Sequence, residues 1–231
     1  MDSAACSPNS DFIRQVGARL RTHWLVKTIG LSVGMTAFFI VYFQLLQHPI
    51  FPVTIMPVTM VDRFIGFRPE ALPLYISLWI YVPLACALLK SRRELLSYGL
   101  AAAALSAIGL GIFLLWPTAV PNLGTNWASY PSFSFLKSVD ASGNACPSLH
   151  VAFAVFTAVR LDRLLREMRS PYFYRAGNWL WCLGIVYSTV ATGQHVAIDV
   201  LAGAPLGATV AALPFFKSAA TDNSHSAKTT R

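Results

Sequence analysis

Two histidines in this chain stand in surroundings that could do chemistry. His195 is followed four residues later by Asp199, in the run Ser188-Thr189-Val190-Ala191-Thr192-Gly193-Gln194-His195-Val196-Ala197-Ile198-Asp199. On a helix, residues at i and i+4 share a face. A carboxylate bonded to one ring nitrogen fixes the tautomer and leaves the other nitrogen free to attack. His150 closes the tetrapeptide Pro147-Ser148-Leu149-His150. Proline suits the first turn of a helix, and the N–H groups of that turn, with the Ser148 hydroxyl, would cradle an anion. A histidine in the same turn is close enough to protonate a leaving oxygen. Cradle, acid and nucleophile together are the parts of a phosphoryl-transfer site, where catalysis is mostly positioning and charge stabilisation. Each part alone has a plainer reading. A histidine near a membrane interface is more often a structural hydrogen-bonder, and Ser188 could simply bond a carbonyl of its own helix. The combination is what carries the chemistry.

These residues have to be held by something, and composition says by what. Hydrophobic residues make up 55% of the 231 and charged residues only 12%, with a mean hydropathy of +0.53. Soluble domains carry about 25% charged residues. The bilayer is therefore the expected solvent. Apolar runs long enough to span it cover residues 24–46, 72–89, 95–116, 148–165, 179–192 and 196–216. The expected fold is all-α, a polytopic bundle of about six transmembrane helices forming one catalytic domain over 23–217. Residues 1–22 form a polar N-terminal segment and 218–231 a disordered tail. The first run is too long for a signal-peptide core and reads as a retained helix.

Net charge is +8, but the basic residues lie between apolar runs rather than in one patch. This excludes nucleic-acid binding and points to membrane topology. Fifteen of the eighteen Lys and Arg fall on one side of the expected bundle; Arg63, Arg68 and Lys137 fall on the other. The positive-inside rule then places both termini in the cytoplasm. His150 and His195, which did not enter the count, both land on the outward face. Asp199 stands at the mouth of an apolar helix, where an ionisable group is a functional candidate by default. The cysteines Cys6, Cys86, Cys146 and Cys182 show no C-x-x-C or metal-ligand spacing, so no disulfide framework is expected.

Pro-Ser-Leu-His at 147–150, followed by Ser-x6-His-x3-Asp at 188–199, resembles the type 2 phosphatidic acid phosphatase superfamily. The stretch Asp140…Asn144…Pro147-Ser148-Leu149-His150, with Pro117-Thr118 upstream, resembles the branch containing inositol phosphorylceramide synthases. The resemblance covers roughly residues 62–207. It implies a six-helix bundle and metal-independent catalysis without a cofactor. It also implies His195 as nucleophile, forming a phosphohistidine, Asp199 as its orienting group and His150 as the acid. Ser148 and Ser188 would help to hold the phosphate. Asn144 joins them as a substrate-binding candidate, and Asp62, Tyr75 and Asp140 are candidate pocket residues. Thr189 stands where the family often has Arg after the Ser, and the third loop lacks the phosphatase branch's Lys-x6-Arg-Pro. The outward cations Lys137, Arg68 and Arg63 are what remain to neutralise a phosphate.

Several functions stay open on the sequence. One is a lipid phosphatase, with water resolving the phosphoenzyme. Another is a lipid phosphotransferase, with an alcohol as acceptor. A third is a metal-dependent hydrolase built on His150, His195 and Asp199. The fourth is a transporter or scaffold, which is disfavoured because no paired broken helices interrupt the spans. The expected partners are a lipid phosphate or phospholipid substrate and the membrane lipids, in a bacterial inner membrane with the site facing the periplasm. Nothing in the sequence sets the oligomeric state.

Overall fold

The computed structural model describes residues 8–122, 130 and 143–213. Within them the chain is mostly helical. Helix α1 is Pro8–Arg21, α2 Trp24–Gln47, α3 Met60–Ile65, α4 Leu72–Ile76, α5 Leu78–Ala87 and α6 Arg92–Leu115. Then come α7 Leu149–Glu167, α8 Tyr172–Ala191 and α9 Ala197–Ala212. Among the described residues extended pairing is confined to a two-residue parallel pair, β1 Thr54–Ile55 against β2 Thr118–Ala119, and an antiparallel bridge between Ala119 and Gly143.

Three stretches are long and apolar enough to cross a membrane: Trp24–Gln47, Pro69–Ala87 and Arg92–Leu115. Helices α7 and α8 are comparably long but less apolar. Helix α7 carries Arg160, Asp162, Arg163, Arg166 and Glu167 in its second half, and α8 opens with Arg175 and Asn178. The apolar α9 is shorter.

The elements lie close to where the sequence puts them, with two differences. The run at 72–89 is not one rod. Ser77 divides it into α4 and α5, after a 3-10 turn at Pro69–Ala71, and Pro73 and Pro83 punctuate it. A proline lacks the N–H that a continuous helix needs. The polar N-terminal segment, in turn, contains α1. Phe12 is buried with its ring 4.6 Å from that of Tyr174. Arg19 is buried too, donating to Leu88 O at 3.2 Å and to Glu167 at 2.9 Å. Lys27 caps the end of α5 through Ala87 O at 2.7 Å.

Helix α7 is central, packing against α5, α6, α8 and α9. Its buried face, with Ala152, Phe156 and Leu161, meets Tyr98 and Leu105 of α6 and Ile185 of α8 in the main core. Against α9 the approach is closer still. A Cβ added at Gly203 or Gly207 would collide with the backbone carbonyls of Ser148 and Ala152. Only glycine lets two backbones come so near.

Candidate active site

The site forms where the start of α7, the end of α8 and the start of α9 meet. Ser148 is the N-cap of α7, its Oγ accepting from Val151 N at 3.3 Å. Pro147 therefore sits just before the cap rather than inside the first turn. The loop before it hangs on Thr118, whose Oγ1 accepts from Cys146 N at 2.7 Å. At the end of α8, Gly193 takes a left-handed φ of 65°, and the chain folds back so that Gln194 N and His195 N both donate to Thr189 O at 3.1 Å. A residue with a Cβ disfavours that φ. Helix α9 then starts with its exposed N–H groups taken up by carboxylates. Asp199 Oδ2 accepts from Val196 N at 3.0 Å, and Asp62 Oδ1 from Ala197 N at 2.7 Å. A backbone bond, Ser148 N to Asp199 O at 3.0 Å, ties α7 to α9 at this point.

This folding brings the three predicted catalytic residues together. His150 Nδ1 lies 3.2 Å from His195 Nε2. His195 Nδ1 lies 3.4 Å from Asp199 Oδ2, in contact but out of line for a hydrogen bond. Asp199 Oδ1 likewise has no hydrogen-bond partner. Both groups are deeply buried, His195 being 6% exposed and Asp199 0%. A small turn of the ring or the carboxylate would align them. His150 is half-buried and reaches the site's edge. Its other nitrogen, Nε2, is 2.8 Å from the hydroxyl of Tyr75 on α4.

The predicted substrate-binding residues fare differently. The Ser188 hydroxyl donates to Ile185 O at 2.7 Å, so in this arrangement its proton serves its own helix. Asn144, buried with φ 50°, donates through Nδ2 to Tyr42 O at 3.2 Å and anchors the loop to α2. Arg68 is exposed at the rim, its backbone N–H bonded to Ala191 O at 2.7 Å beside the end of α8. Lys137 and Asp140 lie outside the described residues. Asp62, a pocket candidate, is a double helix cap: besides Ala197 N, it accepts from Thr59 N and Thr59 Oγ1, each at 2.7 Å. Burial, with Asp199 beside it, pushes the Cys146 thiol up to about 11. It therefore stays protonated and is no rival nucleophile. Among the described residues no group of three or more His, Cys, Asp or Glu side chains is placed to hold a metal ion.

The chain is thus helical with apolar stretches long enough to span a membrane, and it brings two histidines and a buried aspartate together at the start of α7 and α9. The profile of the PAP2 superfamily matches residues 74–213, more than half of the chain, and the chain belongs to that family. Membership makes it a phosphatase-type enzyme. No curated protein and no solved structure matches it.

Proposed function

We propose that this protein is a membrane-embedded phosphatase or phosphotransferase that acts on a lipid phosphate through a phosphohistidine on His195, without a metal ion. The carrying observation is the line Asp199–His195–His150. It gives His195 a carboxylate at Nδ1 and leaves Nε2 facing the ring that would act as acid. A phosphate entering between the rings would displace the His150–His195 contact. His195 Nε2 then bonds to phosphorus, the bond to the leaving oxygen breaks, and a proton from His150 Nδ1 goes to that oxygen. In the second half, His150 takes a proton from the incoming water or alcohol as its oxygen bonds to phosphorus. The N–P bond breaks, and both histidines return to their starting states. Any phosphate cradle at α7 would draw on the Leu149 and His150 N–H groups, because the cap already uses that of Val151.

In this reading α2, the α4–α5 run, α6, α7, α8 and α9 make six crossings. Arg19, Lys27, Lys90, Arg163, Arg166 and Arg175 gather at the end opposite the histidines. That distribution supports cytoplasmic termini and an outward site, in a bacterial inner membrane. The likeness of the 140–150 stretch to inositol phosphorylceramide synthases favours, as a second reading, an alcohol acceptor and transfer of a phospho-headgroup.

The test is phosphate release from lipid phosphates and phosphodiesters in detergent with chelator, comparing wild type with His195→Ala. Chelator-resistant release lost in the variant supports the phosphatase. His195-dependent formation of a new phospholipid when an alcohol is added selects the transferase. Activity unchanged in His195→Ala removes the assignment.

A further inference from the structure

Mechanistic economy makes His150 a problem. It needs its proton on the nitrogen that faces the substrate, yet an imidazole has two nitrogens and a neutral ring carries a proton on only one. We propose that Tyr75 is a positioning residue that settles the matter: its hydroxyl oxygen accepts from His150 Nε2–H, so that Nδ1, facing His195, is the nitrogen that gives and takes the proton. This rests on the histidine phosphoryl-transfer reading above.

Tyr75 is 2% exposed, on a short helix whose neighbour Leu74 packs against Gly184 of α8. Its hydroxyl is 2.8 Å from His150 Nε2, with the two rings 5.0 Å apart. When His150 is an imidazolium, Nε2–H donates to the phenol oxygen and Nδ1–H points at the lone pair of His195 Nε2, 3.2 Å away. Once Nδ1 has given its proton to the leaving oxygen, Nε2–H keeps its bond to the phenol and Nδ1 carries the lone pair that takes a proton from the incoming water or alcohol. The phenol oxygen accepts in both states, so Tyr75 keeps its bond through the whole proton cycle. In the imidazolium state His195 Nε2 faces a donor and keeps its lone pair, which is the nucleophilic form.

Without the hydroxyl, neutral His150 is free to carry its proton on Nδ1, where it can take none from the incoming oxygen. The imidazolium also loses a charge-assisted bond, which shifts the balance to the neutral ring. Among the described residues, the other titratable or charged side chains on elements around this end of α7 are His195, Asp199, Cys146 and Tyr42, with Asp62, Arg63, Arg68 and Glu70 ahead of α4. All are retained in a Tyr75→Phe variant, which also preserves the ring and its packing.

The experiment compares wild type, Tyr75→Phe and His195→Ala on hexadecyl phosphate and on p-nitrophenyl phosphate. An alkoxide needs a proton to leave, whereas p-nitrophenolate leaves without one. Tyr75→Phe should lower kcat on the alkyl ester on the order of 10- to 100-fold, with KM little changed and the alkaline limb of kcat moved to lower pH. On the nitrophenyl ester the initial burst of p-nitrophenolate, which needs no acid, should stay within about threefold of wild type. In a His150→Ala background it should add no further loss. Equal losses on both esters would mean a structural role and overturn the proposal, as would no loss on either. Release that persists in His195→Ala, or never appears with either ester, overturns the underlying reading instead, and this proposal with it.

Discussion

Replacing Gly203 by alanine should separate the catalytic helices without touching a catalytic side chain. A Cβ there falls well inside 3.0 Å of Ser148 O. A tolerable carbon–oxygen contact is about 3.3 Å, so α9 must retreat from α7 by on the order of 1 Å. The obstacle is backbone, which has no rotamer to escape into. Overpacking of this kind costs about 1–3 kcal/mol of stability. The retreat also stretches the Ser148 N–Asp199 O bond, now 3.0 Å, and draws Asp199 away from His195. A misplacement of about 1 Å in a catalytic constellation can cost roughly 100-fold in rate. Gly207→Ala is the internal control. It meets Ala152 O in the same way but lies one turn farther from the histidines. Both variants should melt several degrees lower in detergent, while kcat falls far more for Gly203→Ala. Wild-type kcat in Gly203→Ala, or equal kcat losses in the two variants, would refute the claim that this contact sets the site.

Asp199→Asn should cut kcat by about 10²- to 10⁴-fold with a much smaller change in melting temperature, because the amide oxygen can still cap Val196 N. Asp62→Ala should lower stability by about 1–3 kcal/mol, read by thermal melting, since both α3 and α9 lose a cap; unchanged melting would rule out the double-cap role. Arg19→Ala should loosen α1 from the ends of α5 and α7, seen as faster amide exchange confined to Pro8–Arg21. Cys146, held protonated, should resist iodoacetamide at neutral pH in the folded protein and become reactive only as pH climbs toward about 11 or the chain unfolds, checked by peptide mass spectrometry.

Helices α2 and α6 were legible because each is a run of 24 residues with few charges, long and apolar enough for a membrane-crossing helix. The grouping of His150, His195 and Asp199 was legible because His195 and Asp199 are four residues apart and Pro147-Ser148 announces a helix start. Helix α1 was not read. Its apolar positions, Phe12, Val16 and Leu20, recur at helical spacing, but polar neighbours hide them in any average of hydropathy. The partners of the site were hard to see for another reason. Tyr75 is 75 residues from His150, and Asp62 is 135 from Ala197. The sequence offered both as pocket candidates by resemblance, without indicating that one holds an imidazole and the other caps a helix. Ser188 shows the reverse case: a motif position whose hydroxyl serves the nearest carbonyl of its own helix.

The link between Ser148 N and Asp199 O is made of main-chain atoms alone. Short of proline at position 148, no side-chain substitution removes an atom of it; only one that forces the helices apart, as at Gly203, strains it. The separation of the two histidine-bearing segments is thus insulated from mutation away from that contact, and residues lining the entrance can be exchanged without disturbing it. A bundle built this way can change what it accepts while keeping how it reacts, which makes the entrance the place to engineer a new substrate.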